Sequence, residues 1–165
     1  MVVPVDYVQL ALASTRRAFV IASPFTFIVS DGTLAKASGP HSPYTGEISS
    51  LEKHLTTART FMALPLRKAT DTFPQMITVG RTANNDLVIP DVSISKVHAI
   101  FMQTSRGFEL ADVGSKNGTS AAGELLPPRG AAHLIKIGER LRFGRIEFTV
   151  VDAGSCWDTV DRMRR

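Results

Sequence analysis

The sequence predicts an all-β protein, an antiparallel β-sandwich with a short α/β extension at its N-terminus. After about residue 59, apolar residues occur in short runs that turn-forming residues separate. In the last run, Ile146, Phe148 and Val150 alternate with Glu147 and Thr149, which is the period of a half-buried strand. Many short strands divided by turns are typical of a sandwich or a barrel.

The extension is predicted to occupy residues 1–58 and to contain a helix, a short strand and a flexible linker. Apolar residues within 5–22 can share one face of a helix. Ser23-Pro24 would end this helix, because a residue before proline avoids the helical region. The sequence FTFIV at 25–29 predicts the strand. Residues 30–50 are rich in Ser, Gly, Pro and Thr, which is typical of a linker.

The sandwich domain is predicted to span residues 59–153, and residues 154–165 are predicted to form a C-terminal tail. We expect a single domain, because 165 residues are too few for two full domains beside an extension. The candidate strands lie in FMALPLRK, QMITVGR, DLVIP, KVHAIFMQ, GFELADV, HLIKIG, ERLRFG and RIEFTVVD, in chain order.

The composition favours an anionic partner but does not choose one. The formal net charge is +4, with 44% hydrophobic and 21% charged residues, which describes a globular protein that could meet nucleic acid, a membrane surface or a phosphorylated protein. Cys156 is the only cysteine, and the four histidines lack metal-ligand spacing. We therefore expect an inert thiol, no metal and no cofactor.

Residues 14–20, STRRAFV, match the twin-arginine pattern of exported proteins. The residues ahead of the arginines are apolar, whereas an export signal usually begins with a polar and basic stretch, and Pro24 interrupts the following apolar run. That run is also shorter than the ~20 residues of a membrane span. We favour a helix of the folded protein and expect a cytoplasmic location without membrane binding.

The stretch DVGSKNGTSA, residues 112–121, has three interpretations. Asn117-Gly118-Thr119 fits a glycosylation site, Asn-Gly is a frequent hairpin turn, and Ser115 and Lys116 could face an anion. Glycosylation needs export, for which the sequence gives little support. We therefore expect the Asn-Gly turn to be the scaffold of an anion site.

Four short motifs resemble, in order and spacing, the forkhead-associated (FHA) domain over about residues 59–151. They are Gly80-Arg81, Asn85-Asp86, Ser95-x-x-His98 and Gly114-Ser115-Lys116-Asn117-Gly118-Thr119. The resemblance implies a β-sandwich that binds phosphothreonine in partner proteins, here in serine/threonine kinase signalling. The expected partner is a phosphothreonine-containing protein, either a kinase or a kinase substrate.

The resemblance also assigns roles to individual residues. It places Arg81 and Ser95 on the phosphate, Lys96 and Lys116 at the edge of the pocket, and Asn117 on the backbone of the bound peptide. These side chains suit the task, because a phosphate monoester carries nearly two negative charges and three acceptor oxygens. A carboxamide can both donate to and accept from a peptide backbone.

Three further residues are expected to support the site without touching the ligand. Gly80 precedes the phosphate-binding arginine, His98 is expected to be a buried, hydrogen-bonded brace between loops, and Gly118 is expected to adopt a positive φ. Asp86 and Asp112 are expected to brace turns through side-chain bonds to the backbone.

Two other classes of function remain as alternatives. An enzyme is disfavoured, because the chain lacks a phosphate-binding loop of the Walker type, a nucleophile elbow and a paired-carboxylate motif. A nucleic-acid-binding or scaffold protein, whose basic loops bind without regard to phosphothreonine, is compatible with the charge. Aromatic residues are only 7% and the basic residues form no stripe, so we expect no nucleic-acid partner.

Overall fold

Two β-sheets pack face to face in the computed structural model, which describes residues 5–31 and 61–165. The six-stranded sheet has the strand order β2-β1-β11-β10-β7-β8, and the five-stranded sheet has the order β4-β3-β5-β6-β9. All paired strands are antiparallel except β3 and β4, which are parallel. The strands are β1 (Phe27–Ser30), β2 (Met62–Pro65), β3 (Met76–Gly80), β4 (Leu87–Val88), β5 (Ala99–Thr104), β6 (Gly107–Asp112), β7 (Thr119–Ala121), β8 (Glu124–Leu125), β9 (His133–Leu134), β10 (Arg140–Phe143) and β11 (Ile146–Val151).

The sandwich core lies between the two sheets and follows the alternation in the sequence. On β11, Ile146, Phe148 and Val150 are buried in this core, whereas Glu147 and Thr149 are partly exposed. The buried rings of Phe101, Phe143 and Phe148 meet edge to face in the centre, and the Phe143 ring touches each of the others. The prediction of a mainly β sandwich is therefore confirmed.

Strand β1 is buried on both faces and lies inside the six-stranded sheet, between β2 and β11. Ile28 points into the sandwich core, and its neighbours Phe27 and Val29 point into a second core outside the sheet. A strand covered on both sides has no polar face, which is why FTFIV shows no alternation. This segment thus packs on its own domain.

Three helices cover the outer face of this sheet. They are α1 (Tyr7–Leu12), α2 (Arg16–Ala22) and α3 (Ala153–Met163). Trp157 of α3 donates its indole N–H to the Ser14 carbonyl at 3.1 Å, and Arg16 pairs with Asp158 at 2.9 Å. Among the described residues, no helix has the length and apolarity that crossing a bilayer requires.

The helical regions differ from the sequence prediction in two places. Residues 5–22 form two helices, because the Thr15 hydroxyl accepts the Ala18 N–H and caps a new helix. The predicted C-terminal tail is mostly helix α3, whose Asp152 cap accepts the Ser155 N–H at 2.7 Å. Cys156 is buried in this helical layer, and burial raises the pKa of its thiol to about 12, so the thiol is inert near neutral pH.

The predicted boundaries at 58/59 and 153/154 stay predictions, but contacts cross both of them. Strand β1 lies before the first boundary and pairs with β2 and β11 beyond it. Helix α3 lies across the second and shares its core with Phe19 of α2. Most of the predicted flexible linker, from residue 32 onward, falls outside the described residues.

Candidate functional site

Three loops meet at one end of the sandwich. They are the β3–β4 loop (residues 81–86), the β4–β5 loop (89–98) and the β6–β7 loop (113–118). The turn between β10 and β11, Gly144-Arg145, lies at the same end, where the Gly144 N–H donates to the Gly118 carbonyl at 3.0 Å. The topology thus brings together four segments that are far apart in the sequence.

Arg81 is exposed, and its guanidinium is anchored at one nitrogen only. Its Nε donates to the Ile94 carbonyl at 3.0 Å, and its backbone N–H donates to the Ser95 carbonyl at 3.0 Å. In the described part of the chain, the two terminal guanidinium nitrogens have no hydrogen-bond partner. They are thus free to bind an anion as a planar fork.

Ser95 links the β4–β5 loop to the β6–β7 loop. Its hydroxyl oxygen accepts the Lys116 backbone N–H at 3.0 Å, so its own proton remains available to a ligand. The side chains of Lys96 and Lys116 are exposed and form no ion pair within residues 5–31 and 61–165. Together with Arg81, they give this end of the sandwich a positive charge.

Asn117 faces the β4–β5 loop and is partly buried. Its amide Nδ2 donates to the Ser93 carbonyl at 2.9 Å. That bond uses one of the two amide protons, and among residues 5–31 and 61–165 no donor bonds to the carbonyl oxygen of the side chain. The carboxamide is therefore held in a fixed orientation at the loop junction.

His98 is fully buried and joins the two loops through its ring. Its Nδ1 accepts the Ser95 N–H at 3.0 Å, and its Nε2 lies 3.0 Å from the Gly118 carbonyl. Because Nδ1 is an acceptor, the proton of the neutral ring must lie on Nε2, which donates to Gly118. The ring holds Ser95 and Gly118 at a fixed separation.

Protonation of His98 would break this arrangement. Burial lowers the pKa of its imidazole below the ordinary 6.5, and the nearby Arg142 lowers it further, against the Gly118 carbonyl and Asp112. The unfolded chain therefore takes up a proton at higher pH than the folded chain. By linkage, the free energy of unfolding falls as the pH drops below about 6.5.

We therefore expect a lower unfolding midpoint at about pH 5.5 than at about pH 7.5, and we expect His98→Gln to remove most of this difference. The glutamine amide can still donate and accept but does not titrate. Thermal unfolding of both proteins at the two pH values is the measurement. An equal difference between the two midpoints in wild type and variant would exclude His98 as the source of the pH dependence.

Asp112 shapes the β6–β7 loop. Its carboxylate accepts four bonds, from the N–H groups of Gly114 and Ser115 at 2.7 and 2.9 Å and from the hydroxyls of Ser115 and Thr119 at 2.5 and 2.6 Å. Burial by itself would raise the pKa of this carboxyl, but the four donors outweigh it and the pKa is lowered. The loop is thus wound around a buried anion.

Two interpretations of the stretch 112–121 need correction. The strands on either side of Asn117-Gly118, β6 and β7, belong to different sheets, so these residues form a crossover and not a hairpin. The hairpin lies at Ala122-Gly123, where both φ angles are positive and β7 turns back into β8. The Ser115 hydroxyl donates to Asp112 and accepts the Gly118 N–H, so it braces the loop and does not face an anion.

Gly80 lies at the end of β3, in close contact with the β4–β5 loop. A Cβ there would lie 2.2 Å from the Lys96 carbonyl oxygen and 2.6 Å from the Asn85 amide nitrogen. Asn85 is buried and donates to that same Lys96 carbonyl at 2.7 Å. This bracing role of Asn85 is not visible in the sequence, because an asparagine beside a turn usually suggests the turn alone.

Gly80→Ala is expected to destabilise the protein by about 3 kcal/mol, since a backbone carbonyl must move to admit the methyl group. Gly123→Ala is the matched control, because its Cβ would meet nothing within 4 Å and only the positive φ of 82° opposes it. Urea unfolding of both variants measures the difference. Equal losses of unfolding free energy in the two variants would show that the close approach at Gly80 does not cause the destabilisation.

Asp86 and Asp91 hold the neighbouring parts of the site. Asp86 accepts the Thr78 N–H and the Lys68 ammonium, both at 2.8 Å. Asp91 forms a two-pronged pair with Arg145, and its shortest N–O distance is 2.8 Å. Hydrogen bonds from these partners lower the pKa of both carboxyls against the effect of burial. Neither aspartate is therefore available to a ligand, and Arg145 is already neutralised.

Exposed cations and a hydroxyl thus lie on loops at one end of a rigid sandwich, an arrangement that is typical of binding modules. Residues 77–144 match the FHA domain family. The match runs from the second residue of β3 to the residue after β10 and contains all of the predicted site residues.

The chain is similar to two known proteins over part of its length. Over 99 residues the chain is 32% identical to an ABC transporter ATP-binding/permease protein of Mycobacterium tuberculosis, covering 60% of this chain and 11% of that protein. It is 37% identical over 68 residues to the oxoglutarate dehydrogenase inhibitor of Corynebacterium glutamicum, and this match covers 41% of this chain and 45% of that protein. The chain thus matches less than half of either relative's length.

The fold is shared with the FHA domain of a hypothetical protein from Arabidopsis thaliana, whose solution structure has been determined. The TM-score is 0.51 at 21% sequence identity, and the match covers 79% of this chain and 86% of that one. The coverage of this chain exceeds the 77–144 match, so the common fold extends beyond the segment that identifies the family.

Proposed function

We propose that the chain binds phosphothreonine-containing peptides at the end of the sandwich formed by the β3–β4, β4–β5 and β6–β7 loops. It acts as a non-catalytic module in serine/threonine kinase signalling, and its partner is a phosphorylated kinase or kinase substrate. One observation carries the proposal: the Arg81 guanidinium is held at Nε by the carbonyl of Ile94, the residue before Ser95, and its two terminal nitrogens have no hydrogen-bond partner among the described residues.

The chemistry of these groups suits a phosphate monoester. Arg81 can donate two parallel bonds to two phosphate oxygens, and Ser95 can donate a third bond through its hydroxyl. Lys96 and Lys116 supply the charge that balances a dianion without fixing its orientation. Because Arg81 and Ser95 are tied to the same backbone segment, Ile94-Ser95, they are preorganised and lose little freedom on binding.

Asn117 is proposed to hold the peptide backbone next to the phosphothreonine. Its side chain is oriented by Ser93 and retains one donor and one acceptor, the pair that an extended backbone requires. Gly80, His98 and Gly118 support this geometry from behind. The positive φ of Gly118, 82°, lets the chain turn directly after Asn117.

Asn117→Ala should weaken phosphopeptide binding about tenfold, because it removes two hydrogen bonds to a neutral backbone. The same change removes the bond to Ser93 and should lower the free energy of unfolding by only about 1 kcal/mol. Binding isotherms and urea unfolding of one preparation give both values. Unchanged affinity would exclude Asn117 from the peptide contact, and global unfolding would make it a structural residue.

The test of the proposed function is a pair of peptide libraries with a fixed central threonine, one phosphorylated and one not. We expect the phosphorylated library to bind at least about 100-fold more tightly, since charge-assisted bonds to phosphate contribute about 1.5–3 kcal/mol each. A third library with phosphoserine tests the preference for threonine, which follows from the FHA family. Equal binding of the first two libraries would overturn the proposal.

A duplex DNA titration over a range of salt concentrations separates this function from the nucleic-acid alternative. Nucleic-acid binding falls steeply and linearly on a log–log plot with ionic strength and is indifferent to phosphothreonine. We expect weak DNA binding that a phosphorylated peptide displaces. A cytoplasmic location is part of the same proposal, and cell fractionation tests it.

A further inference from the structure

A second arginine lies beside the β6–β7 loop, on the segment that joins β8 to β9. Arg129 is exposed, and its guanidinium lies against Gly114: a Cβ on this glycine would be 2.9 Å from Arg129 Nε and 3.2 Å from its Nη2. The space that Arg129 occupies therefore exists only because residue 114 has no side chain.

Arg129 is anchored in the same way as Arg81. Its Nε donates to the Val113 carbonyl at 3.3 Å, as Arg81 Nε donates to Ile94. Its two terminal nitrogens have no hydrogen-bond partner or ion pair among residues 5–31 and 61–165. Each of the two loops that Ser95 connects is thus flanked by a guanidinium whose outer edge is free.

The backbone at Arg129 is strained to hold this position. Its φ is 54°, a left-handed conformation that a non-glycine residue rarely adopts. Two hydrogen bonds impose it, from the Arg129 N–H to the Asp112 carbonyl at 2.9 Å and from the Gly130 N–H to the Pro127 carbonyl at 3.1 Å. Strain of this kind in an exposed arginine is a reason to look for a function.

The distance from Arg129 to the phosphate site is short. Gly114 is two residues from Lys116, whose N–H bonds to Ser95. Backbone bond lengths therefore keep Arg129 Nε within about 14 Å of the Ser95 hydroxyl. An extended peptide advances about 3.3 Å per residue, so this distance corresponds to at most about four residues of a bound chain.

We propose that Arg129 is a specificity-determining residue that selects an anionic side chain within about four positions of the phosphothreonine. The ligand group is a carboxylate or a second phosphate, since a free guanidinium edge recognises both. The inference rests on the proposed function, because it requires a peptide that is already held at Arg81 and Ser95.

The test uses phosphothreonine peptides that carry alanine, glutamate, lysine or phosphoserine at each of the four positions on either side. For the wild type we expect glutamate or phosphoserine at one or two of these positions to bind about fivefold more tightly than alanine. The glutamate and phosphoserine arms show which anion is preferred. The positions that respond also give the direction in which the peptide lies.

Two variants assign the preference to Arg129. Arg129→Gly removes the guanidinium and relieves the positive φ, so it should fold at least as stably as the wild type and lose the preference. Arg129→Glu should reverse it in favour of lysine. Arg106→Glu is the matched control, because Arg106 is exposed and pairs with Glu109 at the β5–β6 turn, at the opposite end of the sheet.

The outcomes separate this inference from the function on which it rests. Phosphothreonine-dependent binding without an acidic preference, or an acidic preference that persists in Arg129→Gly, would overturn the role of Arg129 alone. Loss of phosphothreonine dependence in the wild type would overturn the proposed function. A preference that Arg106→Glu changes as much as Arg129→Glu would indicate a general effect of net charge.

Discussion

Arg81→Ala should reduce the affinity for a phosphothreonine peptide by about 100-fold or more, because it removes two charge-assisted hydrogen bonds worth about 1.5–3 kcal/mol each. Arg81 is exposed, and within the described ranges its side chain makes one hydrogen bond, to Ile94. The loss of stability should therefore be about 1 kcal/mol. Isothermal titration calorimetry with one phosphopeptide measures the affinity, and thermal unfolding measures the stability.

Arg81→Lys distinguishes the fork from the charge. Lysine keeps the positive charge but cannot bond to two phosphate oxygens in one plane, so we expect an affinity between those of the wild type and the alanine variant, about tenfold below the former. Arg106→Ala is the control at the opposite end of the sheet and should bind as the wild type does. Wild-type affinity in Arg81→Ala would exclude Arg81 from phosphate binding.

Asp112→Ala should cost about 4 kcal/mol of unfolding free energy, which is a large part of the stability of a domain of this size. The variant leaves four donors without their acceptor, including the fully buried hydroxyl of Thr119. The β6–β7 loop should lose its conformation, and phosphopeptide binding should fall even where the domain remains folded. Urea unfolding and peptide titration of the variant are the measurements.

The charge of Asp112 gives a second test through pH. Because its pKa is lowered in the folded protein, its contribution to stability is present above the unfolded pKa near 3.8 and is lost as the pH falls through the lower folded value. Asp112→Asn should flatten the acid end of the stability profile. Asp71→Ala, at an exposed position in the loop before β3, is the control and should leave the free energy of unfolding at neutral pH unchanged.

The sequence predicted the sandwich because its strands are local and periodic. A half-buried strand records its inward face in every second residue, as β11 does, and no knowledge of its neighbours is needed to see it. The short polar motifs at the strand ends were also predicted from the sequence, because each consists of residues that are neighbours in the chain. Their order along the chain carried the resemblance to the FHA domain, and the family match at 77–144 confirms it.

The helical layer was harder to predict because it depends on contacts that are distant in the sequence. Helix α3 has an Asp152 cap and buries Ala153, Cys156 and Val160 on one face, whereas the sequence predicted a C-terminal tail at 154–165. The two short helices α1 and α2 were predicted as one because the apolar pattern continues across the Thr15 cap that separates them. Helices this short are stable because they pack against β1, β2 and α3 in one shared core.

The sequence by itself determined which residue types stand at the ends of the strands, and therefore that an anion site with an arginine, a serine and an asparagine was to be expected. Only the tertiary structure decided how these groups are held: Arg81 by Ile94, Asn117 by Ser93, and Ser95 and Gly118 by the buried ring of His98. It also placed Arg129 against Gly114 and turned Ser115 inward. The physical reason is that hydrogen bonds between loops form where strands from distant parts of the chain end together, and sequence spacing does not encode that distance.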